Sequence, residues 1–378
     1  MNSSLTQEEK QRYSRHLALP EVGTDGQLKL KSTRVLIVGA GGLGSPVALY
    51  LAAAGVGTIG IIDFDVVDLT NLQRQILHST ERVGASKVES AREHVLKINP
   101  NVELKTYQTQ LTSENTFEIL KEYDIIVDGT DNFPTRYLIN DACVLLGKIN
   151  VYASIFRFDG QVTIFDASKG PCYRCLYPAP PPPNLVPNCA EGGVVGALPG
   201  IIGTIQALEV IKLIVGIGQS LVGNLLIFDG LKMDFQSFRI KKNPDCPICG
   251  KNRTIHELID YQEFCGVKPM QVDDVYDVTP KQLKSMFDSK KDFFLLDVRE
   301  QHEYDYSNIG GTLIPLGTLP SRLQEVPKDK EIVVMCHHGM RSDYAANMLR
   351  SNGFKNVRNL TGGIDAWTAT VDPKTPRY

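Results

Sequence analysis

The chain has 378 residues and a formal net charge of -3 at pH 7. That length suits two or three domains, each with its own core, and the near-neutral charge gives no electrostatic case for nucleic acid or an anionic membrane as partner. The polar first ten residues hold no apolar signal core, and eight cysteines, four of them in two C-x-x-C pairs, fit reduced thiols of a cytoplasmic protein better than a secreted disulfide framework.

Residues 7–32 carry helix-like charge patterning (Glu8, Glu9, Lys10, Arg12, Arg15) and then a polar stretch. Next comes an apolar strand at 34–38, a glycine turn, and a helix over 45–54. Gly39, Gly41 and Gly44 have the spacing G-x-G-x-x-G, with Gly42 between them. The first glycine makes the tight turn, the second lets backbone approach phosphate, and the third lets helix pack on strand. Asp63 closes the next apolar run, where a carboxylate can accept a ribose hydroxyl. The uncharged run from Val35 to Ile62 is long enough for a membrane span, but its glycines and Pro46 break it into strand, turn, helix and strand.

Strand patterns recur near 103–107, 124–128 and 150–156, alternating with helices at 86–98, 113–120 and 133–147. That alternation predicts an α/β, Rossmann-like doubly wound sheet. Regularity stops between Gly170 and Gly193, where Pro178, Pro180 to Pro183 and Pro187 exclude helix and central strand. A helix at 197–215 and strands near 224–229 and 234–239 follow. Residues 251–275 read as a linker. A second, small α/β unit occupies 276–378, with Thr279-Pro280 opening a helix, strands at 293–297 and 331–335, and a helix at 342–351.

A glycine turn alone suggests a nicotinamide enzyme. The residues beyond it do not: Asn71, Arg74, Gln75, Lys87, and Asp131 with Asn132 after the strand 125–127. Adenylyl transfer needs such a set, because cations stabilise charge gathering at the attacked phosphorus while a carboxylate holds Mg²⁺ on the phosphates. Together, RYSRH (12–16), GAGGLGS (39–45), DFDVVDLTNLQRQ (63–75), SK (86–87) and DGTDNFPTRYLIND (128–141) resemble the MoeB/ThiF branch of the ubiquitin-activating superfamily over about residues 7–250. The resemblance implies adenylation by MgATP of the terminal Gly-Gly carboxylate of a ubiquitin-like sulfur carrier. It assigns Asp63 to ribose, Arg74 and Lys87 to phosphates, and Asp131 to Mg²⁺. It has Arg15 reach in from the partner subunit of a homodimer.

Cys172, Cys175, Cys246 and Cys249 form two C-x-x-C knuckles, the ligand set of a structural Zn²⁺. Their separation is too long for a zinc finger on spacing alone. A redox C-x-x-C is the rival, although neither pair is expected to open a helix after a strand; the family resemblance pairs the two knuckles on one zinc. Cys189 lies in the crossover loop, where a thiol can attack an adenylate or join a persulfide relay; a spectator thiol is the alternative. Cys143 and Cys265 read as packing.

In the second unit, Cys336-His337-His338-Gly339-Met340-Arg341 falls between a strand and a helix, where loop N–H groups can cradle an anion and activate a thiol. With LDVRE (296–300), IGGT (309–312) and LTGGIDAW (360–367), it resembles a single-domain rhodanese over about 276–370. That implies a persulfide on Cys336. Related phosphatases use C-x5-R, one residue longer, whereas the C-x4-R here favours sulfur. The two resemblances together imply an adenylyltransferase and sulfurtransferase that makes a thiocarboxylate, as MoeB–rhodanese fusions do. A molybdopterin-type (MoaD) carrier is expected, with thiosulfate or a cysteine desulfurase as sulfur donor. Thiamin-type (ThiS) or cysteine-synthesis carriers, and a non-catalytic carrier-binding scaffold, are the alternatives.

Overall fold

A computed structural model describes residues 4–181, 192–266 and 275–377. These fall into two compact units, the first holding 4–181 with 192–266 and the second 275–377.

The first unit opens with three short helices, α1 (Gln7–Arg12), α2 (Ser14–Leu17) and α3 (Gly23–Ser32). A capping box of Thr6 and Glu9 starts α1. Next come β1 (Arg34–Val38), α4 (Gly44–Ala54), β2 (Thr58–Ile62), α5 (Lys87–Ile98), β3 (Glu103–Tyr107), α6 (Thr116–Leu120), β4 (Ile125–Asp128), α7 (Phe133–Leu146) and β5 (Ile149–Phe156). Strands β3-β2-β1-β4-β5 pair in parallel. Val35, Leu36 and Ile37 are fully buried, so β1 reads as an unbroken apolar run rather than an alternating one. Each such side chain contributes about 2 kcal/mol by leaving water.

The sheet continues antiparallel through β6 (Asp159–Phe165), β7 (Asn224–Asp229) and β8 (Asp234–Arg239). The sequence reading ends a strand at 156 and does not anticipate β6, whose hairpin with β5 turns at Arg157, a non-glycine residue at φ 53°. Between β6 and β7 lie the one-turn α8 (Tyr173–Leu176) and the long α9 (Ala197–Val215). Helix α9 is apolar and long enough to cross a membrane. Half of it is buried within this unit, and it packs on α3, α4, β5 and β6.

Residues 251–266 fall within the expected linker, yet part of this stretch is docked on the first unit. Helix α10 (Tyr261–Phe264) packs on α7, the Tyr261 hydroxyl donates to Asp141 Oδ2 at 2.8 Å, and the Phe264 and Tyr137 rings meet edge to face. Asp141 also binds the buried Arg174, whose guanidinium stacks on both Tyr137 and Phe264.

The second unit is a five-stranded parallel sheet in the order β11-β10-β12-β13-β9: β9 (Asp277–Val278), β10 (Phe293–Asp297), β11 (Thr312–Leu313), β12 (Glu331–Met335) and β13 (Val357–Leu360). Helices α11 (Pro280–Asp288), α12 (Gln301–Tyr306), α13 (Met340–Ser351) and α14 (Gly363–Thr370) complete it. Thr279 caps α11 and Pro280 stands in its first turn, as the sequence predicts, and Gln282 completes a capping box. Helix α13 begins two residues earlier than expected, because Gly339 takes a left-handed φ of 95° and turns the chain directly into it.

Candidate active site

In the first unit the glycine turn forms at the carboxyl edge of β1. Gly39 has φ 96°, and a Cβ on Gly44 would stand 1.9 Å from the Gly39 carbonyl oxygen, so only glycine allows α4 to begin this close to the strand. The turn is locked from three sides. Asp63 Oδ2 accepts the Ala40 N–H at 2.8 Å, the Ser45 hydroxyl donates to the Gly41 carbonyl at 2.7 Å, and His78 Nε2 lies 2.9 Å from the Ala40 carbonyl. Burial lowers the His78 pKa, which keeps its ring neutral at pH 7. Sequence reasoning missed His78 because it sits in an irregular stretch with no periodicity and no motif.

The side chain of Arg74 passes beside Gly42, and Gln75 Nε2 faces Gly41. Arg74 Nη1 rests on the Thr70 carbonyl at 3.3 Å, and the buried Lys87 donates to Asp65 at 2.8 Å. Asn71 sits in the short 3-10 turn Leu69–Asn71, where its carbonyl accepts the Arg74 and Gln75 N–H groups. Asp131 is exposed just past β4. The turn before it interlocks with the glycine turn: the Gly129 N–H donates to Val38, and a Cβ on Gly39 would lie 3.0 Å from the Gly129 carbonyl oxygen. Asn132 caps α7 by accepting the Thr135 N–H. Gly39, Gly41, Gly42, Gly44, Asp63, Arg74, Gln75 and Asp131 thus belong to one sheet edge. An exposed carboxylate there suits Mg²⁺, which takes one or two carboxylates and completes its shell with phosphate and water. Arg15 is exposed on α2, outside this constellation, and Cys189 lies outside the described residues.

The four knuckle cysteines converge. Cys172 Sγ lies 3.8 Å from Cys175 and 3.6 Å from Cys246, and Cys175 Sγ lies 3.4 Å from Cys249. A tetrahedron of Zn–S bonds about 2.3 Å long has edges of about 3.8 Å, so the cluster fits zinc. One expectation is corrected: Cys172 does open a helix after a strand, the single turn α8 that follows β6. Convergence of all four sulfurs still favours a metal over a redox pair. Cys143 and Cys265 are buried; burial raises the thiol pKa of Cys143 and pushes that of Cys265 up to about 11, so neither is a ready nucleophile.

In the second unit Cys336 is fully buried at the end of β12. The Gly339 N–H points at its Sγ from 3.1 Å, and the Ser342 hydroxyl lies 3.3 Å away. The carbonyls of Cys336 and His337 are taken by the Ile364 and Asp365 N–H groups of α14, which turns loop oxygens away from the sulfur. Arg341 is bound through both Nη atoms to Glu303 at 2.8 and 2.7 Å. The loop's cation therefore braces the cradle instead of pointing into it. His337 is buried and stacked on His338; burial first, then its neighbour's charge, pushes its pKa down to about 4. Met340 is exposed at the start of α13. Asn359, which lies 2.6 Å from Ser342, is a part of this site that the sequence did not single out; Ser342 and Glu303 stand in the stretches 335–342 and 302–304 that carry the rhodanese resemblance, which do not show their contacts.

Comparison with known proteins agrees with both halves. The ThiF family matches residues 13–248, and the rhodanese-like domain matches residues 279–370. A probable adenylyltransferase/sulfurtransferase MoeZ of Mycobacterium tuberculosis is 46% identical over the whole chain and 97% of its own length. The adenylyltransferase and sulfurtransferase MOCS3 of Culex quinquefasciatus is 44% identical over the whole chain and 91% of its own. Among solved structures, Escherichia coli MccB with ATP superposes with a TM-score of 0.56 at 24% identity, covering 63% of this chain and 74% of that one, a likeness of fold.

Proposed function

Because the chain belongs to the ThiF family and carries a rhodanese-like domain, and is an adenylyltransferase and sulfurtransferase, we propose that it converts the C-terminal glycine of a ubiquitin-like sulfur carrier into a thiocarboxylate. The observation that carries this reading is that one chain holds both a glycine turn bound by Asp63 and flanked by Arg74, with Asp131 on the same sheet edge, and a buried Cys336 with a backbone N–H aimed at its sulfur.

In the first step a carrier carboxylate oxygen attacks the α-phosphorus of ATP, pyrophosphate leaves, and an acyl adenylate remains. Asp63 holds the ribose, the turn's backbone approaches the phosphates at Gly41, and Arg74 and Lys87 take up the charge that builds there. Asp131 would hold Mg²⁺, whose charge would offset that of the pyrophosphate oxygens. Arg15 would act from the partner subunit of a homodimer. Cys172, Cys175, Cys246 and Cys249 would hold Zn²⁺ as a structural clamp.

In the second step the terminal sulfur of a Cys336 persulfide attacks the acyl carbon and AMP leaves, giving an acyl disulfide between carrier and Cys336. A second thiol, Cys189 or an external reductant, attacks the Cys336 sulfur and releases the thiocarboxylate. That attack leaves Cys336 in a disulfide with the resolving thiol; an external dithiol would reduce it, and the freed thiolate would then take sulfur from thiosulfate, with release of sulfite, or from a cysteine desulfurase persulfide. We place the protein with molybdopterin-type carriers.

Intact mass of a Gly-Gly carrier incubated with the protein, MgATP and thiosulfate tests the reading. Replacement of one oxygen by sulfur is expected, with loss of all gain in Cys336→Ala but retained adenylate. Running molybdopterin-type and thiamin-type carriers in parallel identifies the preferred one. No mass change with either would overturn the proposal.

A further inference from the structure

The turn that presents Asp131 is held by two buried charged residues outside the nucleotide constellation. Asp128 is fully buried at the end of β4, and its Oδ1 accepts both the Thr130 N–H at 3.0 Å and the Thr130 hydroxyl at 2.7 Å. From the other side Arg136, nine-tenths buried on α7, donates through Nη2 to the Thr130 carbonyl at 3.1 Å. All three polar groups of Thr130 are therefore taken, which fixes the peptide planes on both sides of it. The next residue is Asp131, and the one after it, Asn132, is pinned as the α7 cap.

The arrangement is costly, which argues against mere packing. Asp128 Oδ2 and Arg136 Nε are buried with no hydrogen-bond partner among the described residues. Burial raises the carboxyl pKa of Asp128, against the opposing pull of the Arg136 charge. Arg136 is further confined between the Phe133 and Tyr152 rings, 5.6 Å from each centroid. Two buried ionisable groups kept partly unsatisfied to hold one threonine suit a site where strain is tolerated for geometry.

We infer that Asp128 and Arg136 are positioning residues that clamp Thr130 and so set the Asp131 carboxylate for the metal–triphosphate. This rests on the reading above, in which Asp131 holds Mg²⁺. It extends that reading to residues that touch neither nucleotide nor metal, and it makes Thr130 the point where the clamp can be released without removing a charge.

The test uses Mn²⁺ as a paramagnetic stand-in. Its affinity for the full-length protein carrying a non-hydrolysable ATP analogue is read from the free-ion resonance signal. Thr130→Val keeps the residue's shape and removes only the hydroxyl arm of the clamp. It should weaken Mn²⁺ about five-fold, the equivalent of one lost hydrogen bond, with the thermal midpoint little changed. Thr130→Ser restores the hydroxyl and should return the affinity to the original value. Asp131→Asn should weaken Mn²⁺ more than either. If Thr130→Val leaves Mn²⁺ affinity unaltered while Asp131→Asn lowers it, the clamp is wrong and the Asp131 assignment stands. If Asp131→Asn also has no effect, the Asp131 assignment fails and takes the clamp with it.

Discussion

The two reactive centres are prepared in opposite ways. At the glycine-turn edge, the cations assigned to phosphate rest on substitutes: Lys87 on Asp65, and Arg74 on a carbonyl. Around Cys336 the charged groups are bound to one another, Arg341 to Glu303 and Arg299 to Asp297, and a backbone N–H already meets the sulfur. Under the proposed function the difference follows from the ligands. A triphosphate brings several charges that can displace resting partners, whereas a single sulfur atom is too small to reorganise a loop and needs its cradle built beforehand.

Breaking the cradle should therefore cost most. Glu303→Ala removes the carboxylate that binds both Nη atoms of the largely shielded Arg341 guanidinium, a loss on the order of 1–3 kcal/mol for charge-assisted hydrogen bonds. The second unit's denaturant midpoint should fall, and sulfur transfer should fall with it while adenylation persists. Unchanged stability would mean that the cradle is not braced by this pair. A graded effect comes from pH. The His337 pKa is about 4 in the folded unit against 6.5 for a free ring, so between those values the unfolded chain binds the extra proton. Stability from this group is complete above pH 6.5 and drains away as pH falls toward 4, by about 3 kcal/mol in all. Urea titrations at pH 7, 5.5 and 4.5 should show that slope, and His337→Gln should flatten it. The smallest effect sharpens the other side of the contrast. Asp65→Asn frees Lys87 from its resting partner, worth about 1 kcal/mol at such a half-exposed pair, so ATP should bind roughly five-fold tighter by calorimetry. Weaker binding would make Asp65 part of the nucleotide site itself.

The sequence shows the parallel strands well because β1, β2 and β4 are apolar on both faces and are separated by glycines or helix starts. It shows the glycine turn, Asp131 and Cys336 because these stand in spaced motifs. What it hides is mostly contacts between residues. His78 acts on backbone across elements with no local period to mark it, whereas Asp128, Arg136 and Glu303 stand in motifs that do not show which groups they hold. Tyr261 and Phe264 belong to a helix of one turn, too short for any periodicity to register. The tail they carry read as linker until its partners, Asp141, Arg174 and Tyr137, were seen together.

Helix α9 also constrains how the protein is made. Taken alone, Ala197–Val215 has the length and apolarity of a membrane anchor. Its main partners α3, α4, β5 and β6 precede it in the chain, while Leu221 and Phe228, which share its apolar cluster, follow it. During synthesis from the N-terminus most of the groove that receives it can therefore exist before the helix leaves the ribosome. A circular permutant that begins near residue 192 would reverse that order and deliver the apolar segment first, with nothing yet built to shelter it.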